Sequence, residues 1–127
     1  MALCISGSKT FAQNADGHDV FVPIAKYIGQ GNVESLSAWF ADNLEISIIS
    51  SSNASSKVQA KKILKSFFES YKPRAFEISH TASRSKMKYA MGSLNAGGET
   101  FTVTIFVSMQ NDKETYKIQQ LKIERIQ

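Results

Sequence analysis

The stretch GNVESLSAWFADNLEI, residues 31–46, contains the change from helix to strand that decides the fold of this chain. Asn32 is a favoured helix-capping residue, and apolar side chains follow it at the spacing i, i+3, i+6 and i+7. These apolar residues are Val33, Leu36, Trp39 and Phe40. The spacing predicts a short helix that ends near Asp42 and Asn43. Leu44 then begins an alternation of apolar and polar residues, which is the pattern of a half-buried strand.

A first helix is predicted on the N-terminal side of this stretch. Its apolar residues recur at spacings of four, three and one, which is the stripe of an amphipathic helix. The stripe consists of Val20, Ile24, Tyr27 and Ile28. We expect Asp16 or Asp19 to cap this helix, and Gly29 and Gly31 to end it.

On the C-terminal side, the polar run 50–56 predicts a loop, and Ser55 or Ser56 is expected to cap a third helix. This helix has one broad apolar face over three turns, with the charged residues mainly outside it. The apolar face consists of Ala60, Ile63, Leu64, Phe67, Phe68 and Tyr71. Pro73 ends the helix, because the residue before a proline disfavours helical dihedral angles.

Four strands are predicted after Pro73, each with an alternation of apolar residues. The first strand has Phe76, Ile78, His80 and Ala82 on one face, the second is marked by Met87, Tyr89 and Met91, and the third by Phe101, Val103, Ile105, Val107 and Met109. Turns are expected at residues 95–98, which end in two glycines, and at Asn111-Asp112. In the last strand the apolar parity changes at Gln119-Gln120, which predicts a β-bulge that bends the sheet.

This order of elements predicts an α+β fold in which three N-terminal helices pack on one face of a strongly curved antiparallel sheet. A bent sheet with the long third helix across its mouth has the shape of a cone. No linker divides the chain, so we expect residues 14–127 to form a single domain after an arm of residues 1–13.

Residues 31–46 resemble a signature of the nuclear-transport-factor-2-like superfamily, whose fold is also called cystatin-like. In that superfamily a helix led by Gly-Asp or Gly-Asn ends in an aromatic residue, a small residue and Asp before the first strand. Here Gly31-Asn32 and Phe40-Ala41-Asp42 match these positions. The chain further resembles DUF4783, a small bacterial family of unknown function with this fold, known mainly from gut-type Gram-negative anaerobes.

The resemblance implies the fold but no single activity, because the superfamily includes ketosteroid isomerases, dehydratases, polyketide cyclases, transport factors and plain association domains. The isomerase type needs an Asp base and a Tyr–Asp pair inside the cone. The predicted inward faces offer Tyr89 and no matching Asp, so isomerase chemistry is disfavoured.

The composition argues against two classes of partner. The chain has 127 residues, a net charge of +4 and a pI of about 9.2. The basic residues are interleaved with acidic ones, apart from a loose set that a solvated helix face explains. This set is Lys57, Lys61, Lys62, Lys65, Lys72 and Arg74. Because it lacks the dense clustering of nucleic-acid surfaces, no nucleic-acid partner is expected. The sequence contains no apolar run of about 18 residues, so no transmembrane helix is expected.

Residues 2–13 read like the end of a secretory signal peptide. Thr10-Phe11-Ala12 approximates the small-x-small pattern, with cleavage expected after Ala12. A flexible N-terminal arm is the ordinary alternative. Cys4, the single cysteine, would leave with the signal, and a cysteine-free mature chain suits an oxidising compartment. We therefore expect an exported protein of the periplasm or the cell surface.

His80 is the sharpest candidate for a catalytic or ligand-binding side chain, because its strand face is predicted to point into the cone. A histidine there can act as an acid or a base near neutral pH. The ordinary alternative is a histidine at the edge of the core that is held by a structural hydrogen bond. His18 lies in a different element and no carboxylate cluster accompanies either histidine, so no metal site is expected. No cofactor is expected either.

The other candidate ligand-binding residues are large apolar side chains, which would line a pocket together with His80 or simply fill the core. They are Tyr27, Trp39, Phe67, Tyr71, Met87 and Tyr89, with Phe68, Met91 and Phe106 as neighbours.

Three functions from different classes remain open. The first is an exported, non-enzymatic domain that binds an apolar small molecule in the cone or serves for association. The second is a small isomerase- or dehydratase-type enzyme that uses His80 with help from Tyr89. The third is a protein-interaction module that acts through the exposed sheet face, where a homodimer is also expected. The outward residues of that face include Thr102, Thr104, Phe106 and Ser108. A packed interior and a flat apolar sheet face would favour the third.

Overall fold

The computed structural model describes residues 20–109 and 115–126. Three helices, all in the first half of the chain, pack on one sheet. They are α1 (Phe21–Gln30), α2 (Val33–Ser37) and α3 (Lys57–Ser70). The prediction of three helices that precede most of the strands is therefore confirmed.

Six strands form a single mixed sheet in the described part of the chain. They are β1 (Phe40–Ile48), β2 (Ser51–Ser56), β3 (Pro73–Arg84), β4 (Met87–Ala96), β5 (Glu99–Met109) and β6 (Tyr116–Arg125). Their order across the sheet is β2-β1-β6-β5-β4-β3. All neighbours are antiparallel except β1 and β6, which run parallel. The fold class is α+β, as predicted, but the sheet is mixed rather than purely antiparallel.

The helix caps follow the sequence closely. The Asn32 side chain accepts a hydrogen bond from the Ser35 amide at 3.1 Å, and the Ser56 hydroxyl accepts one from the Gln59 amide at 3.2 Å. Gly31 ends α1 in the left-handed conformation, with φ of 69°. The two aspartates expected to cap α1 lie outside the described residues.

The second helix ends earlier than predicted. The spacing of Trp39 and Phe40 suggested that the helix reaches Asp42, but α2 ends at Ser37 and β1 begins at Phe40. Phe40 is still fully buried, because the strand that it starts is paired with β6. An apolar residue needed by the core satisfies a helical and an extended pattern equally well, and tertiary pairing decides between them here.

The prediction of a loop at residues 50–56 was wrong. Ser51–Ser56 form the edge strand β2, paired antiparallel with β1. Strand pairing uses backbone groups, so a neighbouring strand can recruit a serine-rich segment despite its weak strand propensity. Short polar edge strands also discourage further pairing, which suits the exposed side chains of residues 51–54.

The core lies between the helices and one face of the sheet. On β5 every second side chain, from Phe101 to Val107, is fully buried. Helix α1 packs on β3 and helix α3 on β1, so the helices span the width of the sheet on this side. The predicted alternation of β5 and the predicted hairpin turn at Gly97-Gly98, where both residues have positive φ, are confirmed.

Four register irregularities interrupt the pairing of the described strands, and two of them are bulges that re-aim residues singled out in the sequence. In β6 the pairing passes from Phe106–Gln120 to Val107–Ile118, so Gln119 is the extra residue. This confirms the bulge predicted at Gln119-Gln120. A second bulge lies in β3, where Ser79 is extra and its hydroxyl donates to the carbonyl of Met91 at 3.1 Å.

The strong curvature expected of the sheet was wrong, and so was the cone. The sheet is open, with β2 and β3 at its edges, and it is not strongly curled. A single-residue bulge re-aims side chains and increases the local twist, but curling a sheet takes bulges or glycine bends repeated across the strands.

Gly92 is required where β3 passes the bulge. It pairs with Ile78, and a Cβ added to Gly92 would overlap the carbonyl oxygen of Glu77 and lie 2.9 Å from the Ile78 Cα. These obstacles are backbone atoms, so they cannot rotate away.

We predict that Gly92→Ala lowers the free energy of unfolding by about 2 kcal/mol or more, because β3 and β4 must separate to admit the methyl group. Gly29→Ala is the matched control. Its Cβ would lie 3.5 Å from the Phe76 amide nitrogen, an ordinary contact, and alanine favours the helix, so stability should rise by up to about 1 kcal/mol. Urea denaturation measures both variants. Equal stability of Gly92→Ala and the parent chain would contradict the close approach.

Candidate functional site

The sheet has an open face opposite the helices. Residues that are paired across the strands form rows on this face, for example Ala82, Tyr89, Phe106 and Gln120. The next row consists of His80, Met91, Thr104 and Lys122. Side chains on this face are half-buried or exposed, in contrast to the buried residues that alternate with them. Within the described residues, no helix covers this side of the sheet.

An apolar band crosses the open face between β3 and β5. The rings of Tyr89 and Phe106 lie 5.4 Å apart at an angle of 33°. Met87 is 49% exposed, and Met91 is half-buried in the neighbouring row. The band borders a shallow cleft of about 330 Å³. Its lining consists of Ala82, Ser83, Arg84, Met87, Lys88, Tyr89 and Phe106.

The surroundings of the band are polar and carry both signs of charge. Thr102 and Thr104 on β5 are half-buried, and Lys122 and Glu124 on β6 lie 3.6 Å apart. Glu45 on β1 accepts a hydrogen bond from the Ser52 hydroxyl at 2.7 Å. An apolar centre with a polar rim is the usual anatomy of a protein–protein interface.

The other side of the sheet is filled by side chains. Phe21, Phe40 and Phe101 are among the fully buried residues, and they belong to one continuous core. Phe67 packs on Phe101 with ring centroids 5.3 Å apart and stacks on Tyr71 at 5.1 Å. The space in which a cone-shaped pocket was expected is thus occupied by packed rings and aliphatic groups.

The structure does not place His80 where the sequence predicted it. The bulge at Ser79 shifts the strand by one residue, so Ile78 faces the core while His80 points to the open face and is exposed. No carboxylate among the described residues bonds to its imidazole ring. His80 therefore lacks both the enclosed setting and the acid–base partner that the enzymatic hypothesis needs.

Met87 and Tyr89 were also expected to point inward, and this was wrong. The inward residues of β4 are Ala90, Gly92, Leu94 and Ala96, all of them buried. The alternation of Ala90, Gly92, Leu94 and Ala96 with polar or larger residues indicates this inward face, whereas the prediction followed the large side chains of the opposite parity. Met87 and Tyr89 therefore lie on the open face together with Phe106.

Phe67 and Tyr71 belong to a different part of the molecule. The Tyr71 hydroxyl accepts a hydrogen bond from Arg125 at 2.8 Å, and the same guanidinium donates to Glu99 at 2.9 Å. The hydrogen bond and charge of Glu99 raise the pKa of Arg125 above its ordinary value. This network is exposed and fixes the ring of Tyr71 beside Phe101.

Tyr27 and Trp39 complete the predicted set, and both are half-buried against the core. The Trp39 carbonyl accepts a hydrogen bond from the Ile118 amide at 2.6 Å, which ties the start of β1 to β6. The seven predicted ligand-binding residues therefore do not converge. The structure brings together Phe67 with Tyr71, and Met87 with Tyr89, on opposite faces of the sheet.

The described residues contain neither a metal-binding cluster nor a membrane-spanning helix. Residues 20–109 and 115–126 contain no group of three or more His, Cys, Asp or Glu side chains that could hold a metal ion. No helix in these ranges combines the length and the apolar character needed to cross a membrane.

Comparison with known families gives a match over most of the chain. Residues 21–124 match DUF4783, a domain of unknown function. The chain belongs to the DUF4783 family. This confirms the resemblance inferred from residues 31–46 and the order of elements. No curated protein matches the chain.

Solved structures extend the comparison to the fold. A DUF4783 protein from Bacteroides uniformis has a TM-score of 0.78 at 23% identity, covering 84% of this chain and 96% of its own. A cystatin-like domain of unknown function from Nostoc punctiforme has a TM-score of 0.68 at 11% identity, covering 93% and 80%. An NTF2-like protein from Cytophaga hutchinsonii has a TM-score of 0.65 at 18% identity, covering 90% and 98%. At these identities the DUF4783 chain shares a fold with its neighbours, and the fold does not assign a function.

We predict that His80→Ala leaves the free energy of unfolding within about 0.5 kcal/mol of the parent value, because the imidazole ring is exposed and unpaired among the described residues. Ile78→Ala is the control on the core side of the bulge, and it should cost about 2 kcal/mol. Thermal and urea unfolding measure both. A loss above 1.5 kcal/mol (about three times the expected limit) for His80→Ala would show that the histidine is part of the core.

Proposed function

We propose that this DUF4783 domain is a non-enzymatic association module that pairs with a second copy of itself through the open face of the sheet. The carrying observation is the apolar band formed by Met87, Tyr89, Met91 and Phe106, which faces away from a packed core. Exposed apolar area of this kind, rimmed by polar residues, typically marks an interaction surface.

The size of the open face supports a stable pair. Strands β3 to β6 contain 12, 10, 11 and 10 residues. With strands about 4.8 Å apart and a rise of about 3.3 Å per residue, they span roughly 19 Å by 33 Å. The flat projection is roughly 600 Å², and protruding side chains add to it, so it approaches the roughly 800 Å² per partner of a standard interface.

The charges on the face suit a two-fold arrangement. A two-fold interface brings the same patch of both copies together, so it needs a patch that is complementary to itself. Lys122 and Glu124 lie on the same strand and carry opposite charges. In a two-fold pair, Lys122 of each copy can face Glu124 of the other. Tyr89 and Phe106 would then stack near the axis, where aromatic residues usually dominate binding energy.

A second candidate function is the binding of an apolar small molecule in a groove beside α3. The groove has a volume of about 630 Å³. It is lined by Ile48, Ile49, Ser51, Gln59, Lys62, Ile63, Ser66, Phe67, Ser70 and Tyr71. Ile49 has a φ of 58°, which is a strained conformation for a β-branched residue and often accompanies a functional site. Phe67 and Tyr71, two of the residues expected to bind a ligand, are among its lining.

We predict that the parent chain dimerises between micromolar and near-millimolar concentration, and that Tyr89→Glu weakens the dimer at least about thirtyfold, because each copy would bury an unpaired carboxylate near the axis. Sedimentation velocity measures the dissociation constant. The ring of Tyr89 is half-buried, so the variant monomer should remain folded.

Val58→Glu is the matched control. Val58 is a 63% exposed apolar residue in the first turn of α3, on the helix side of the molecule. Its substitution introduces the same glutamate side chain. Its dimer should have the parent dissociation constant. A monomeric parent chain at near-millimolar concentration, or equal weakening by both substitutions, would refute pairing through the open face.

A further inference from the structure

A cleft on the helix side lies where α1 ends, α2 begins and α3 meets β3. Its volume is about 470 Å³, within the range of small-molecule sites. It is lined by Gln30, Gly31, Asn32, Val33, Glu34, Lys61, Lys65, Phe68, Glu69, Lys72 and Pro73. The cleft is separate from the open face and from the groove beside α3 that Ile49 and Tyr71 line.

The floor of this cleft is apolar and firmly held. Val33 and Phe68 are buried, and Pro73 is half-buried. Gly31 makes the wall possible, because a Cβ at this position would lie 2.7 Å from the Pro73 Cγ. The end of α1 and the start of β3 can therefore touch beside Phe68.

The rim carries three lysines and two glutamates, which belong to α2, α3 and the residues after α3. Lys61 and Lys65 lie one turn apart on the same side of α3, and Lys72 follows the end of the helix. In the sequence these lysines belong to a loose basic set explained by solvation. The structure divides that set, since Lys62 lines the groove on the other side of α3.

The three lysines differ in what they contact. Lys61 donates to the Glu34 carboxylate at 2.7 Å, and this hydrogen bond, together with the charges of Lys61 and Lys65, lowers the pKa of Glu34. Within the described residues, the ammonium groups of Lys65 and Lys72 have no hydrogen bond or ion pair. These two ammonium groups border the same cleft as the buried side chains of Val33 and Phe68, and they are available to a ligand. The carboxylate of Glu69 lies on the same rim.

We propose that this cleft binds a small organic anion, with its apolar body on Val33 and Phe68 and its carboxylate between the ammonium groups of Lys65 and Lys72. Charge-assisted hydrogen bonds from lysine to a carboxylate are stronger than neutral ones. The apolar floor adds affinity that a bare inorganic anion lacks. The site lies on the helix side, so it is independent of pairing through the open sheet face.

Hexanoate and hexan-1-ol test the proposal, because they share a six-carbon chain and differ in charge. Each is titrated into the ¹⁵N-labelled chain, and the amide signals of Gly31, Val33 and Phe68 are followed by NMR. We expect saturable shifts with hexanoate and an affinity for hexan-1-ol at least about tenfold lower. Repeating the titration with the Tyr89→Glu chain separates this site from the association surface.

Substitutions with opposite expected signs sharpen the test. The double variant Lys65→Gln/Lys72→Gln should bind hexanoate at least about tenfold more weakly, whereas Lys26→Gln/Lys86→Gln, with the same change of net charge outside the cleft, should bind as the parent does. Glu34→Gln should bind several-fold more tightly, since it removes a negative charge from the rim and releases Lys61.

Three outcomes would overturn the proposal. The first is the absence of saturable shifts at the cleft. The second is equal binding of hexanoate and hexan-1-ol, which would show an apolar crevice without anion recognition. The third is an unchanged affinity in Lys65→Gln/Lys72→Gln, or an equal loss in the control double variant, which would show only a long-range effect of charge.

Discussion

The burial of the inward side chains of β5 against the helices is the constraint on which the rest of the structure depends. Phe101, Val103, Ile105 and Val107 are all fully buried. Burying a side chain of this kind contributes about 1.5–3 kcal/mol, and a one-residue slip would turn all four outward, so the register of the sheet is fixed. The described helices all lie on that side. The opposite face is therefore left to solvent or to a partner.

The bulges at Gln119 and Ser79 decide which side chains of β6 and β3 lie on each face. Gln119 keeps Ile118 and Leu121 both in the core, although they stand at odd spacing for one strand face. Ser79 changes the phase of β3, because the next core-side position after Ile78 becomes Thr81, which pairs with Ala90, and His80 turns outward. One extra residue thus places the histidine on the open face of the sheet instead of the core face.

Much of the fold could be predicted from sequence because strong periodicity and capping act locally. Helix α3, its Ser56 cap, the Asn32 cap and the bulge in β6 all follow from short-range patterns. The strand at residues 51–56 and the bulge at Ser79 depend on backbone pairing with the adjacent strand, which side-chain patterns do not record. The inward face of β4 was predicted wrongly because Ala90 and Gly92 are small, so the larger Met87 and Tyr89 dominate the apolar pattern of the strand. The cleft could not be predicted from the sequence, because only the fold brings Val33 and Phe68 into one cleft with Lys65 and Lys72.

The central claim is that the core lies on one side of the sheet and that the other side associates with a partner. The most direct test is the accessibility of side-chain methyl groups to a soluble paramagnetic gadolinium chelate, measured by NMR at low and high protein concentration. We expect the methyl signals of Met87 and Met91 to broaden strongly in dilute solution and to become protected as the concentration rises. The methyl groups of Ile105 and Leu94 should be protected throughout. Exposure of Met87 and Met91 that is unchanged by concentration would contradict the associating face, and broadening of Ile105 and Leu94 would contradict the packed core.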